Sequence, residues 1–241
     1  MRIVWLALCG IAFLCLSCLS SLARDGRTTF ILAASWQPAF CEGRNTLPEC
    51  RSQTADRDDA SRFSLHGLWR MRQSYCGVAE ADKARDKQRG WLALPPVALP
   101  EALAGRLAGL MPGAQSGLDR HEWLKHGTCS NLDQSGYFGL SVSLMEELNA
   151  SAVGQLFRDR IGKLVREAEV KAAFAQAFGA GAGERVRMSC REDGGRRLVV
   201  ELTIGLGGEL KGDAGLAERI AAAGSTKFGC PEGEVDAAGF Q

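Results

Sequence analysis

Six cysteines that follow residue 23 limit the folds open to this chain. Nine cysteines occur in the sequence, and the six are Cys41, Cys50, Cys76, Cys129, Cys190 and Cys230. An even number of cysteines in a chain that enters an oxidising compartment predicts a disulfide framework, here of three bridges. A structural zinc site is the competing interpretation, but this part of the chain contains no Cys-x-x-Cys pair. Spacing alone leaves the connectivity open.

The first 23 residues have the pattern of a secretory signal peptide. A basic residue precedes a long apolar run, and Ser21-Leu22-Ala23 supplies the small residues of a cleavage site. We therefore expect residues 24–241 to form a single domain that is exported to the periplasm or secreted. A membrane anchor is one alternative, but the run is near the lower length limit for spanning and polar residues follow at once. A lipoprotein site at Cys18 is another.

The charge of the chain is nearly balanced, with 29 Lys and Arg against 28 Asp and Glu. Such a chain has no overall positive field that would attract nucleic acid. Binding to RNA would therefore depend on local basic groups, and its salt dependence would be modest for a nucleic-acid protein.

Periodicity and turn residues predict a mixture of helices and strands. The predicted strands are Thr28–Trp36, Arg62–Trp69, Arg185–Cys190 and Leu198–Ile204. The predicted helices are Glu101–Leu110, Asp119–Gly127, Tyr137–Leu148 and Ile161–Phe178. We interpret Arg44–Ala60 as a loop and the charged Ala79–Arg89 as a solvated surface segment. Because regular βαβ alternation is absent, the pattern favours an α+β fold with a central antiparallel sheet and several packed helices.

The predicted helix at Asp119 has strong signals at both ends. Asp119 is placed to cap the amino end, with Glu122 three residues later as in a capping box. Gly127 can end the helix in the left-handed conformation. Positions four apart share a helix face, so His121 is expected beside Lys125 and Glu122 beside His126.

Only three histidines occur in the chain, and all lie in two short segments. His66 lies in Phe63–Trp69, while His121 and His126 lie in His121–Cys129. A surface helix with salt bridges explains the charged residues of the second segment but not its two imidazoles. A zinc-protease helix needs histidines four residues apart, whereas these two are five apart and diverge around the helix. A zinc hydrolase is therefore kept only as an alternative.

Two imidazoles together with a carboxylate and an ammonium group suit the cleavage of RNA. The 2′-hydroxyl must lose a proton to attack phosphorus, and the 5′-oxygen must gain one to leave. Histidine titrates near neutrality, so a neutral and a protonated imidazole can divide these tasks. Lys125 and a protonated His121 would stabilise the charge that builds on the phosphoryl oxygens. DNA lacks the attacking hydroxyl and is expected to resist.

His66-Gly67-Leu68-Trp69 and His121–Cys129 resemble the two active-site signatures of the ribonuclease T2 family. Ser35–Cys41 is similar to the first strand of the bacterial, periplasmic branch. The resemblance runs from about Phe30 to Cys230, although its specific motifs are short. It implies an α+β endoribonuclease that acts on single-stranded RNA without metal or other cofactor. The implied products carry 2′,3′-cyclic phosphate ends.

The resemblance also implies roles for the matching residues. His126 would be the general base toward the 2′-hydroxyl, and His66 the general acid toward the 5′-oxygen. Glu122 and Lys125 would polarise the phosphate and stabilise its pentacoordinate state. The usual pairings of the family imply disulfides Cys76–Cys129 and Cys190–Cys230, which leaves Cys41 with Cys50. The first of these would hold the two histidine segments next to each other.

Substrate binding is implied for three further residues. His121 would bind phosphate, and Trp69 would stack on a base, with Tyr75 as a second stacking candidate. Core packing is the alternative role for Trp69. Arg70 follows it where many members have proline, and Met71 stands where some carry an acid that reads the base. We therefore expect broad base specificity.

Two other classes of protein stay open on the sequence. One is a catalytically inactive binding module on the same scaffold, although the chain retains the histidine, glutamate and lysine residues of both signatures. The other is the zinc hydrolase. The expectation that we carry forward is a monomeric ribonuclease whose partner is single-stranded RNA, with no membrane attachment once the signal peptide is removed.

Overall fold

The computed structural model describes residues 26–239, so the predicted signal peptide lies outside the described residues. The strands of the described part are β1 Thr28–Ser35, β2 Ser64–Arg70, β3 Lys163–Arg166, β4 Val186–Asp193, β5 Arg196–Gly207 and β6 Glu232–Val235. The α-helices are α1 Gln37–Cys41, α2 Pro48–Arg51, α3 Glu80–Lys87, α4 Glu101–Leu110, α5 Leu118–Lys125, α6 Gln134–Ala150, α7 Ala152–Asp159, α8 Glu167–Phe178 and α9 Leu216–Ala221. None of the helices within residues 26–239 combines the length and apolar character needed to cross a bilayer.

The strands form one sheet in the order β2-β1-β5-β6-β3, and β4 also pairs with β5. The pairings are antiparallel except for β5 with β6, which run parallel where Leu198 lies opposite Glu234. Strand β5 is central and long, and its apolar residues are buried on both faces, as expected for a strand covered on both sides. The predicted α+β class is confirmed, with a sheet that is antiparallel apart from this one contact.

An irregularity in β2 sets the direction of one side chain. Ala33 of β1 pairs with Gly67, and the next residue, Ala34, pairs with Leu65. His66 is therefore the extra residue of a β-bulge and has no partner opposite it. A bulge bends its strand and re-aims the extra side chain. The sequence predicts the strand here but not the bulge, because the bulge depends on the pairing with β1.

Aromatic packing fixes the end of β1. The rings of Trp36, Phe63 and Phe157 are fully buried, with centroids 4.6 to 5.6 Å apart. The indole N–H of Trp36 donates a hydrogen bond of 2.7 Å to the carbonyl of Asp236. A buried indole needs such a partner, and this one ties the start of the described chain to its end.

Two predicted helices are confirmed. Helix α4 has the predicted bounds, and α6 contains the whole of Tyr137–Leu148. Asp133 caps α6, since its carboxylate accepts a hydrogen bond of 2.7 Å from the backbone N–H of Gly136. These helices carry their own end signals, so the local sequence is enough to place them.

The predicted ends of α5 are wrong. Gly117, with a φ of 84°, precedes the helix in the left-handed region, and Asp119 lies inside the first turn without a capping hydrogen bond. Gly127 does not adopt a positive φ and instead begins a short 3-10 turn, Gly127–Cys129. A Cβ at Gly127 would lie 2.3 Å from the ring of Trp123. Close contact with that ring, rather than helix termination, requires glycine here.

Two other assignments need correction. The first residues of the predicted helix Ile161–Phe178 form β3, which pairs with β6, and the helix α8 begins only at Glu167. The segment Ala79–Arg89 contains α3, and Asp86 of this helix is buried rather than solvated. In both cases a partner distant in sequence decides the structure. The predicted loop Arg44–Ala60 holds only α2 and a 3-10 turn.

The described chain contains three disulfides, Cys41–Cys50, Cys76–Cys129 and Cys190–Cys230. They are the pairings that the family resemblance implies. The Cys76–Cys129 bridge joins the loop after β2 to the turn after α5, so it links the two histidine segments.

Candidate active site

A cavity of about 640 Å³ lies beside the exposed side of β2 and the carboxyl end of α5. Four of the predicted site residues line this cavity, namely His66, Tyr75, His121 and Lys125. Glu122, Trp69 and His126 are not among the residues that line it, although Glu122 and His126 come from the same segment as His121 and Lys125. The two segments are thus brought together in the folded chain, and His66 of one and His121 and Lys125 of the other line the same cleft.

His66 is held between two carboxylates. Its Nδ1 lies 2.6 Å from Oε2 of Glu201, and its Nε2 lies 4.0 Å from Oε1 of Glu122. The side chain is 36% exposed, so it can reach a ligand in the cleft. Desolvation lowers the pKa of His66, but the hydrogen bond with Glu201 and the charges of Glu122 and Glu201 outweigh it and raise the pKa above its ordinary value. The positive charge of Lys125 opposes them.

Glu122 lies at the centre of the site and is 1% exposed. Its Oε2 accepts a hydrogen bond of 2.9 Å from the indole N–H of Trp69. Its Oε1 lies 4.0 Å from Nε2 of His66 and 3.9 Å from Nε2 of His121. These two distances are too long for hydrogen bonds. Burial raises the pKa of Glu122 to about 7, against the opposing effects of His66, Trp69 and Lys125.

Gly67 allows Glu122 and Trp69 to come together. A Cβ at this position would lie 1.9 Å from Oε2 of Glu122 and 2.6 Å from Nε1 of Trp69. Neither distance is possible between non-bonded atoms. The glycine of the His66-Gly67-Leu68-Trp69 motif is therefore required by the close approach of α5 to β2.

Trp69 contacts both imidazoles of the predicted acid–base pair. Its ring centroid lies 5.1 Å from that of His66, edge to face, and 5.8 Å from that of His126. The side chain is partly buried and hydrogen-bonded to Glu122. Trp69 therefore holds Glu122 and the two imidazoles in one packed group.

His126 follows the last residue of α5, and its ring lies 5.8 Å from that of Trp69. Burial, followed by the positive charge of Lys125, lowers the pKa of His126 to about 3. Its Nδ1 is buried and has no hydrogen-bond partner among residues 26–239. The imidazole is accordingly neutral at neutral pH and able to accept a proton.

His121 is positioned by a buried carboxylate that the sequence analysis did not identify. Its Nδ1 lies 2.7 Å from Oδ1 of Asp86, and the other oxygen of Asp86 accepts a hydrogen bond of 2.6 Å from the hydroxyl of Tyr75. The ring of Trp91 stacks on the imidazole at 4.4 Å. Desolvation outweighs the effect of Asp86 and lowers the pKa of His121. These contacts leave Nε2 of His121 directed toward Glu122.

Backbone contacts join the same parts of the chain. The N–H of Tyr75 donates a hydrogen bond of 2.9 Å to the carbonyl of Lys125, next to the Cys76–Cys129 disulfide. Tyr75 has a φ of 55°, a strained conformation for a residue other than glycine. Burial, followed by the hydrogen bond of its hydroxyl to Asp86, raises the pKa of Tyr75.

The three residues that the sequence analysis missed are Glu201, Asp86 and Trp91. Glu201 interrupts the apolar run of β5, and a charged residue in the middle of such a strand is the signal that could have identified it. Asp86 belongs to the charged segment Ala79–Arg89 and Trp91 follows that segment, and neither is marked by a distinguishing pattern.

A metal site is not evident in the part of the chain that the structure describes. No three His, Cys, Asp or Glu side chains among residues 26–239 are arranged to hold an ion.

The fold and the site together define a disulfide-linked α+β protein with a histidine-rich cleft, the kind of site used in general acid–base catalysis. Residues 27–213 match the model of the Ribonuclease T2 family, and the chain belongs to this family.

Comparison with known proteins supports this assignment. The chain is 32% identical to ribonuclease I of Escherichia coli K12 over 198 residues, which cover 73% of this chain and 74% of the relative. It is 33% identical to a ribonuclease of Aeromonas hydrophila over 125 residues, 49% of this chain and 45% of the relative. Among solved structures, the SF11-RNase associated with self-incompatibility in Nicotiana alata has a TM-score of 0.51 at 18% identity, covering 85% of this chain and 92% of that one. At that identity the likeness concerns the fold alone.

Proposed function

We propose that this chain is an endoribonuclease that cleaves single-stranded RNA by transphosphorylation, with His66 and His126 as its acid–base pair. The observation that carries the proposal is that Trp69 contacts both imidazoles, which come from segments about 60 residues apart in sequence. The proposal also rests on membership of the Ribonuclease T2 family.

The reaction assigns one proton to each imidazole. Neutral His126 removes the proton of the 2′-hydroxyl, and the resulting oxygen attacks phosphorus. The bond between phosphorus and the 5′-oxygen breaks as protonated His66 donates a proton to that oxygen. The products are a 2′,3′-cyclic phosphate and a free 5′-hydroxyl. The opposite pKa shifts of the two histidines agree with this division of roles.

The other groups of the cleft would stabilise the pentacoordinate phosphate. Glu122, largely protonated below about pH 7, can donate a hydrogen bond to a phosphoryl oxygen, and Lys125 supplies positive charge. Nε2 of His121 lies near the same oxygen of Glu122 as Nε2 of His66, and His121 would bind phosphate. Trp69 and Tyr75 would contact a base, without selecting among bases.

The remaining parts of the proposal concern the whole chain. We propose that residues 1–23 are a signal peptide and that residues 24–241 act as one exported catalytic domain, monomeric and without metal. The three disulfides support an oxidising compartment, either the periplasm or the medium.

Digestion of a defined single-stranded RNA, with and without a chelator, tests the function. We expect cleavage in both samples, products with 2′,3′-cyclic phosphate ends, and no cleavage of DNA of the same sequence. RNA that is bound but not cut would indicate the binding module. Activity lost with chelator and restored by zinc would indicate the zinc hydrolase.

A further inference from the structure

The geometry points to Glu201 as the positioning residue of His66, a role that rests on the proposed function. Glu201 lies on β5, and His66 lies on β2, with β1 between them. Their side chains nevertheless meet at 2.6 Å, between Oε2 of Glu201 and Nδ1 of His66. This is the shortest contact that His66 makes with a charged group.

The sheet register explains how the two side chains reach each other. Glu201 pairs with Ser35 of β1, and Ser35 pairs in turn with Ser64 of β2. The two serines are short, so the carboxylate can extend across β1. His66 is the bulged residue of β2 and is re-aimed from the regular pleat. The contact therefore depends on the small side chains of the two serines and on the bulge at His66, which lie in the same part of the sheet.

The contact has two chemical consequences. A carboxylate at Nδ1 keeps a proton on that nitrogen, so Nε2 becomes the atom that exchanges a proton in the cleft. The carboxylate also stabilises the imidazolium, which is the form that a general acid needs. The other charged groups that act on His66 are Glu122 and Lys125 of α5, and the charge of His66 in turn lowers the pKa of His121 and of His126. Among these groups Glu201 alone hydrogen-bonds to His66.

Histidine titration by NMR tests this role without RNA, because the chain has only three histidines to assign. In Glu201→Gln we expect the titration midpoint of His66 to fall by about one pH unit, while that of His121 stays unchanged. Glu201→Asp keeps the charge, so its His66 titration midpoint should lie between those of Glu201→Gln and the unmodified protein. Glu192→Gln, which removes an exposed carboxylate of β4, is the matched control.

The same variants have a kinetic signature. At pH 8 the kcat of Glu201→Gln should fall about tenfold more than at pH 5, because the protonated fraction of His66 decreases. A loss of kcat that is equal at all pH values, or a His66 titration that does not move, would overturn the inference. If the unmodified protein cleaves no RNA but Glu201→Gln still lowers the titration midpoint of His66, the proposed function fails and the positioning role stands.

A second observation concerns the cavity wall beyond the histidines. Arg44, Lys87 and Arg89 line the same cavity. Within residues 26–239 none of the three has a carboxylate partner within salt-bridge distance. By contrast, Lys83 and Arg85 on the same helix as Lys87 are paired with Glu80 and Asp82.

The acidic residues of the cavity do not neutralise these cations. Asp86 is hydrogen-bonded to His121 and Tyr75, and Glu49 accepts a hydrogen bond from Ser116. Burial, and then the charges of Arg191 and Arg89, lower the pKa of Arg44, as expected where positive groups gather. We infer that Arg44, Lys87 and Arg89 bind a backbone phosphate of single-stranded RNA away from the scissile bond, an inference that also rests on the proposed function.

Binding of a 2′-deoxy oligonucleotide measures this subsite separately from turnover. For Lys87→Gln/Arg89→Gln we expect weaker binding and a smaller salt slope, by about 0.7 for each phosphate that the variant no longer neutralises. Lys83→Gln/Arg85→Gln makes the same change in charge on α3, the helix that ends at Lys87, and should bind as the unmodified protein does. Cleavage of a dinucleotide should be equal in all three proteins. Equal weakening in both variants, or a loss of dinucleotide cleavage in the first, would overturn the inference.

Discussion

His66 and His126 touch the same indole but have environments of opposite effect. Two carboxylates surround His66, whereas apolar burial and Lys125 act on His126. We expect His66→Ala and His126→Ala each to reduce kcat by about 100-fold or more, because each removes one proton transfer. The melting temperature should change little in His66→Ala, whose side chain is partly exposed. Activity retained in either variant would reject the role of that histidine.

The same environments predict the pH dependence of turnover. Activity requires His126 to be neutral, which holds above about pH 3, and His66 to be protonated, which holds below its raised pKa. Glu122 also loses its proton at about pH 7. We therefore expect a bell-shaped profile with its plateau in the mildly acidic range, in which each limb reports the coupled cluster. A rate that rises steadily from pH 4 to pH 9 would contradict this assignment.

Gly67 offers a test of the close packing around Glu122. In Gly67→Ala the added methyl group would overlap Oε2 of Glu122 and Nε1 of Trp69, so the hydrogen bond between them must break or α5 must move. We expect a loss of stability of about 1–3 kcal/mol and a large loss of kcat. Gly105→Ala, in the interior of α4 where nothing lies within 4 Å of the new Cβ, is the control: its turnover should be normal and its stability equal or higher by up to about 1 kcal/mol. Equal behaviour of the two variants in urea unfolding would contradict the packing argument.

At the scale of elements, the site forms where β2 packs against the carboxyl end of α5. The Cys76–Cys129 bridge holds these two elements and closes a separation of 53 residues. The Cys190–Cys230 bridge closes a comparable separation of 40 residues and joins β4 to the segment before β6 rather than the two histidine segments. The two disulfides should therefore stabilise the fold by similar amounts but affect the site differently.

Paired alanine variants separate these effects. We expect Cys76→Ala/Cys129→Ala and Cys190→Ala/Cys230→Ala each to lose about 2–4 kcal/mol of unfolding free energy. At a temperature where both are folded, only the first should lose most of its activity, because β2 and α5 can then separate. Similar activity in the two variants would show that the bridge adds stability but does not align the histidines.

The elements also show which parts of the fold the local sequence can predict. Helix α4 and the strands β1, β4 and β5 follow their predicted segments, since each carries its own periodicity and turn residues. The sequence analysis failed at β3, which forms because β6 lies beside it, and at the ends of α5. Those outcomes depend on neighbours that are distant along the chain.

At the scale of the whole molecule, the buried site opposes stability. Glu122 has a pKa of about 7 in the folded chain, above its ordinary value near 4.5. Its contribution to stability is present below about pH 4.5 and is lost as the pH rises through 7, because the unfolded chain ionises more easily. Active sites commonly carry such a cost.

Replacement of the Glu122 carboxyl group by an amide tests how much its buried charge destabilises the fold. We expect Glu122→Gln to raise the free energy of unfolding at pH 8 by an amount on the order of 1–3 kcal/mol, with little change at pH 4. Its ribonuclease activity should fall at the same time. Urea unfolding at the two pH values measures this, with Glu192→Gln as an exposed control. An equal change at both pH values would show that burial of the charge is not the cause.

The sequence by itself determined the chemistry of this protein: three scarce histidines, a glutamate and a lysine in two dense segments, and six cysteines that can link them. Those features are local, so residue type and spacing are sufficient to find them. The tertiary structure alone decided that His66 is a bulged residue held by Glu201, that Asp86 orients His121, and that Gly67 admits Glu122. These contacts join residues between 35 and 135 positions apart, or depend on strand register, and no local pattern encodes such proximity.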